Sequence, residues 1–129
     1  MAVWQEAPDL AELAVRVIAK RPEVAHVDPD EVLFLWELET TPTALARCYR
    51  LTGHPIGFFT HKPWAVVFYK QNMDYMSSRQ RALVMLHELM HIPERGDRLV
   101  DHTVKDFATL LGIDLHWSAP GREVPDILE

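Results

Sequence analysis

The sequence has a single cysteine, Cys48, so no disulfide can form within the chain, and a reducing compartment, the cytoplasm, is the expected setting. It has no apolar run near the roughly 20 residues needed to span a bilayer, so no membrane-spanning helix is expected within it. Its first residues, Met1-Ala2-Val3-Trp4-Gln5-Glu6, lack the basic start and apolar stretch of a secretory signal, and none is expected. It also lacks an excess of positive charge. Thirteen Lys and Arg against nineteen Asp and Glu give a net charge of −6, which argues against a protein whose main work is gripping nucleic-acid phosphates. No internal repeat, low-complexity run or linker interrupts it.

What is present has the balance of a soluble globular protein: 129 residues, 48% hydrophobic and 25% charged. One domain over residues 1–129 is expected, with an irregular tail from about 118, where Pro120, Gly121 and Pro125 fall. Pro8 to Lys20 predicts an amphipathic helix, with Leu10, Leu13, Ala14, Val17 and Ile18 on one face and Pro22 as its stop. Asp28-Pro29-Asp30 signals a turn. Strands are predicted over Glu31–Leu38, Ala44–Leu51 and Trp64–Lys70. A further short apolar stretch, Ile56 to Thr60, lies between two His/Pro-bearing loops.

Ser77-Ser78-Arg79-Gln80 has the form of a capping box and starts a helix that should run to about Ile92, before Pro93. A last helix is predicted over Asp101–Leu111, with Val104, Phe107, Ala108 and Leu111 on one face and Gly112 as its end. One helix, three or four strands in a small mixed or antiparallel sheet, then two helices make an α+β plan.

The chain carries seven histidines, and two of them fall in the segment His87-Glu88-Leu89-Met90-His91. On a helix, residues four apart lie about 40° apart around the axis and one turn along it, so two imidazoles can turn ring nitrogens to one point. That spacing is a good two-ligand unit for zinc. Glu88 lies about 100° from His87, too far round to complete the ligand set but near enough to reach a water on the metal. His87 and His91 are therefore the candidate ligands of one Zn2+ ion and Glu88 the candidate catalytic base. Ala82, Met85, Leu86 and Leu89 fall opposite the histidines, and only Gln80 and Val84 share their face. A helix so apolar must be buried, which points the histidines into a cleft.

A catalytic zinc site normally has three protein ligands and an open position. His102, eleven residues beyond His91, is the candidate third ligand, and Asp106, one turn on, could orient an imidazole. Asp101, Asp97 and Glu123 are the alternatives. The metzincin pattern is excluded, because Glu94 and Asp97 stand where it needs Gly and His.

The segment Met85-Leu86-His87-Glu88-Leu89-Met90-His91-Ile92-Pro93, then Gly96, then Asp101-His102-Thr103-Val104-Lys105-Asp106-Phe107, resembles the phage-type metallopeptidase domain family, small zincin-like proteins distantly similar to SprT-like proteases. The resemblance runs from about Asp28 to Leu111. It implies a minimal zincin fold, His87, His91 and His102 as ligands, Glu88 as base, and a peptide or protein substrate. Two other classes compete: a zinc-stabilised binding or regulatory module that cleaves nothing, and a DNA-associated SprT-like protease, against which the net charge of −6 counts.

The strand just before the active-site helix, Ala65 to Lys70, is expected to accept an extended peptide as an added edge strand. Tyr69, Tyr75 and Arg98 are candidate donors to an oxyanion, although packing is the commoner role of a strand tyrosine. His54 and His61, each beside a proline, read as surface residues. Trp36, Trp64 and Trp117 read as core or cleft wall, and Cys48 as a small buried hydrophobe.

Overall fold

A computed structural model describes residues 2–52, 60–101, 107–114 and 116–129. The chain has an α+β architecture, a four-stranded mixed sheet with helices. It begins with a three-residue strand, β1 (Trp4–Glu6), followed by helix α1 (Pro8–Lys20). Pro8 starts that helix, where its missing N–H costs nothing, and Pro22 follows its end. Leu10, Ala14 and Val17 form its buried stripe, as the periodicity predicts. The Asp28 side chain accepts from the Asp30 amide at 2.9 Å and caps a single 3-10 turn, Pro29–Glu31, which delivers the chain into β2 (Val32–Glu37).

Strands β3 (Ala46–Arg50) and β4 (Trp64–Tyr69) complete the sheet, in the order β1-β2-β4-β3. β2 and β4 are parallel, and β1 and β3 flank them antiparallel. Here one expectation is corrected: β4 is an inner strand, bonded on both sides, so it cannot accept a peptide as an edge. All six of its residues are buried, as a strand covered on both faces requires. Among the described strands, the edge on the β4 side is β3.

Lys70 does not extend β4 but opens a one-turn helix, α2 (Lys70–Met73). The Asn72 side chain donates to the carbonyls of Pro42 and Ala44 at 2.6 and 2.8 Å, fixing the approach to β3. Helix α3 (Ser78–Leu89) follows, with the capping box in place: the Gln80 amide donates to the Ser77 hydroxyl, and the Ser77 amide to the Gln80 side chain, both at 3.1 Å. Its α-helical run is shorter than predicted. The amides of His91 and Ile92 bond three residues back, to Glu88 and Leu89, so His91 sits in a tightened final turn. Pro93 imposes this, because its ring would clash with the Leu89 carbonyl of a continuing helix.

Helices α1 and α3 pack on one face of the sheet. Leu10, Ala14 and Val17 meet Ala82, Leu83, Met85, Leu86 and Leu89 over Val32, Phe34, Trp64, Val66 and Phe68. Leu35, Leu51, Ala65, Val67 and Tyr69 form a smaller cluster on the opposite face. Trp36, Trp64 and Trp117 are buried, as predicted, and the Trp36 ring N–H donates to the Asp9 carboxylate of α1.

The last described helix, α4, is Ala108–Ile113, not Asp101–Leu111. Asp101 is not helical, residues 102–106 lie outside the described residues, and Gly112 is inside the helix instead of ending it. Residues 116–129 hold neither helix nor strand, yet Trp117 and Val124 are buried in the core. Among the described residues no helix is long and apolar enough to cross a membrane.

Candidate metal centre

Helix α3 turns one side toward the cleft, as the angular argument requires. Gln80, Val84, His87 and Glu88 lie on the side of the helix that faces β3 and the tail, while the opposite side is sealed in the core. His87 and Glu88 have side chains 14% and 7% exposed, with His87 Nε2 and Glu88 Oε1 3.8 Å apart. The His87 and His91 rings have centroids 5.3 Å apart. One donor atom from each of His87, Glu88 and His91 lies within 4.8 Å of the others, a spacing that one metal ion can bridge.

Val100 fixes the ring of His91. Its carbonyl lies 2.6 Å from His91 Nδ1, and its amide donates to the His91 carbonyl at 2.7 Å. A carbonyl can only accept, so Nδ1 carries the proton and Nε2 keeps its lone pair for a metal. Phe107 stands against both imidazoles, with centroids 5.4 Å from His87 and 5.0 Å from His91. Trp117 also packs near His87, with centroids 5.8 Å apart. These apolar walls limit water around the rings and restrict their rotation.

Gln80 joins this arrangement to the tail. It is fully buried, and while its oxygen caps α3 its Nε2 donates to the carbonyls of Trp117 and Ala119 at 3.0 and 2.5 Å. One side chain thus both starts the site helix and holds the wall that Trp117 provides. Together these elements frame a cleft of about 430 Å³, lined by Ala44 to Cys48 of the β3 edge, by Val84, His87, Glu88 and His91, and by Trp117 and Ser118.

The chain is matched over residues 2–124 by the model of the family described as Putative phage metallopeptidase. The chain belongs to this family. The match extends beyond the span of the resemblance at both ends. No curated protein and no solved structure matches the chain. Membership of a metallopeptidase family implies a metal, and His87, Glu88 and His91 are a possible place for it.

Of the other predicted site residues, His102 and Asp106 lie outside the described residues, as does His54. Asp97, Asp101 and Glu123 do not join the metal-capable group among the described residues: Asp101 and Glu123 are exposed, and Asp97 is paired with Arg50 at 2.9 Å. Of the oxyanion candidates, Tyr69 is corrected. Tyr69 lies on the sheet face away from α3, its hydroxyl 3.3 Å from that of Tyr49, because alternation along β4 puts it with Ala65 and Val67. Tyr75 is 73% exposed, and Arg98 is exposed on its loop. His61 is exposed, as expected.

Cys48 lines the cleft half-buried, and burial, with the Glu88 carboxylate nearby, pushes its thiol far above the usual range. That keeps it protonated and unreactive. Sequence reasoning missed Val100, which acts through backbone atoms and leaves no signal in side-chain chemistry. Gln80 could have been found: it is the only strongly polar residue, besides the motif itself, on the histidine face.

Proposed function

We propose that the chain is a zinc-dependent peptidase in which His87, His91 and His102 hold the ion and Glu88 is the general base. The observation that carries the reading is the cluster of His87, His91 and Glu88 donors within 4.8 Å, in a chain that belongs to a metallopeptidase family. The donor set fits such an ion: neutral imidazoles suit zinc, and the Val100 carbonyl leaves His91 Nε2 able to coordinate.

His102 follows Val100 by two residues, which an extended chain can separate by no more than about 7 Å. Because Val100 is bonded to His91, this short tether supports the choice of His102 as the third ligand. Asp106 is assigned to orienting one of the imidazoles. When bound, a zinc ion supplies Lewis acidity, polarising the scissile carbonyl and acidifying water.

The chain's own residues do the rest. Glu88, 5% exposed and beside both imidazoles, takes the proton of the attacking water and delivers it to the leaving amine. The peptide is held along β3. Leu45 accepts from the Tyr69 amide and Leu51 donates to the Pro63 carbonyl, so by alternation the N–H and C=O groups of Ala46 and Cys48 point away from β4. A substrate main chain laid against them runs past Glu88 as an added strand.

The test is removal and return of the metal. A chelator should abolish cleavage of a susceptible peptide, and stoichiometric zinc should restore it. Cleavage that persists in the stripped protein would refute the proposal.

A further inference from the structure

The cleft beside Glu88 has walls of one chemical kind. Val84 stands three residues before His87 and four before Glu88, on the same side of α3, so it lies immediately next to the reacting groups. Facing it are Leu45, Ala46 and Cys48 at the β3 edge, and Trp117 closes the end. The short side chains of Ala46 and Cys48 leave the space that a bulkier pair would fill, and the resulting 430 Å³ accommodates a large side chain together with its main chain.

Charge in the described lining of the cleft is sparse. Apart from the histidines, the charged lining residues described are Glu88 and Arg47, and the Arg47 guanidinium, although it acts on Glu88 through space, lies 5.8 Å from the centre of the Tyr69 ring on the other face of the sheet. A substrate carboxylate entering here would lose water and face Glu88, while Arg47, the lining cation described besides the histidines, is engaged with Tyr69. A substrate cation would also lose water, and its pairing with Glu88 would occupy the base. An apolar side chain meets Val84, Leu45 and Trp117 with neither cost.

We propose that this cleft selects an uncharged, apolar side chain on a residue flanking the scissile bond. The inference rests on the peptidase reading, and the experiment separates the two. The zinc-loaded 129-residue chain is titrated calorimetrically with three peptidyl hydroxamates that differ only in the side chain next to the chelating group: isobutyl, carboxyethyl and aminobutyl.

The isobutyl probe should bind about tenfold or more tightly than either charged one. Placing a cation at the exposed rim, Ser118→Arg, should narrow the gap to the carboxyethyl probe. Equal affinities, a tighter charged probe, or a ratio unchanged in Ser118→Arg would each overturn the inference. Cleavage of a peptide library by the same zinc-loaded sample tests the underlying reading. Isobutyl preference without any cleavage leaves the pocket standing and sinks the peptidase, whereas cleavage indifferent to side-chain charge sinks the pocket and leaves the peptidase.

Discussion

His91 and Val100 hold each other in both directions, ring Nδ1 to carbonyl at 2.6 Å and amide to carbonyl at 2.7 Å. The pair closes the loop of residues 92–99, whose Asp97 is also tied to Arg50 at the end of β3. The orientation of a candidate ligand is thereby set by a backbone contact nine residues away.

Val100→Pro removes the amide that anchors this contact while leaving the carbonyl. Metal affinity should fall by about 10–100-fold, the usual cost of disturbing a group that orients a ligand. Competition against a chelator of known affinity measures it, and an unchanged Kd would show that the loop does not set the ring.

The third ligand is separable by metal content. His102→Ala should lose most of its bound zinc under conditions where wild type retains one ion per chain, while Asp97→Ala, Asp101→Ala and Glu123→Ala keep theirs. Full retention in His102→Ala, with loss in one of the other three, would reassign the ligand.

Gln80→Leu deletes two hydrogen bonds to tail carbonyls, the one to Trp117 buried, and half of the capping box. The carbonyls of Trp117 and Ala119 lose these partners, and a loss of about 1–3 kcal/mol is expected. Denaturant unfolding at constant m-value reads it directly.

Glu37 gives a pH dependence independent of the metal. Burial pushes its carboxyl up, but bonds from the Thr40 hydroxyl and the amides of Val3, Thr40 and Glu39 outweigh it and hold the pKa at about 2. A depressed folded-state pKa stabilises the protein above the unfolded value of 4.5, and this contribution is lost as pH falls from there toward about 2. Glu37→Gln should flatten the stability profile across that window. A profile parallel to wild type would contradict the assignment.

The parts that were legible in the sequence are those decided locally. The α1 stripe, the Ser77–Gln80 capping box and the His87/His91 spacing all depend on residues within a turn or two of one another. Strand order does not. Nothing inside Trp64–Tyr69 states which strands lie beside it, although its unbroken apolar run is what an inner strand needs, and this misled the choice of substrate edge. β1 was too short to show a period.

In α4, a stripe through Val104 and Phe107 suggested an earlier start, and Gly112 suggested an end. The described helix instead begins at Ala108 and includes Gly112, with fully buried Leu110 anchoring it, so packing outweighs a glycine cost of about 1 kcal/mol. Tyr69 was misplaced for the same reason as β4: the sheet face it occupies depends on which face the helices cover.

The central claim is that the histidines hold the ion and Glu88 moves the proton, and Glu88→Gln tests the division most directly. Zinc content and kcat/KM for a susceptible peptide are measured on the same samples of wild type and variant. The expected result is one ion per chain in both and a loss of about 10²-fold to 10⁴-fold in kcat/KM. Undiminished cleavage by a fully zinc-loaded variant would contradict the account.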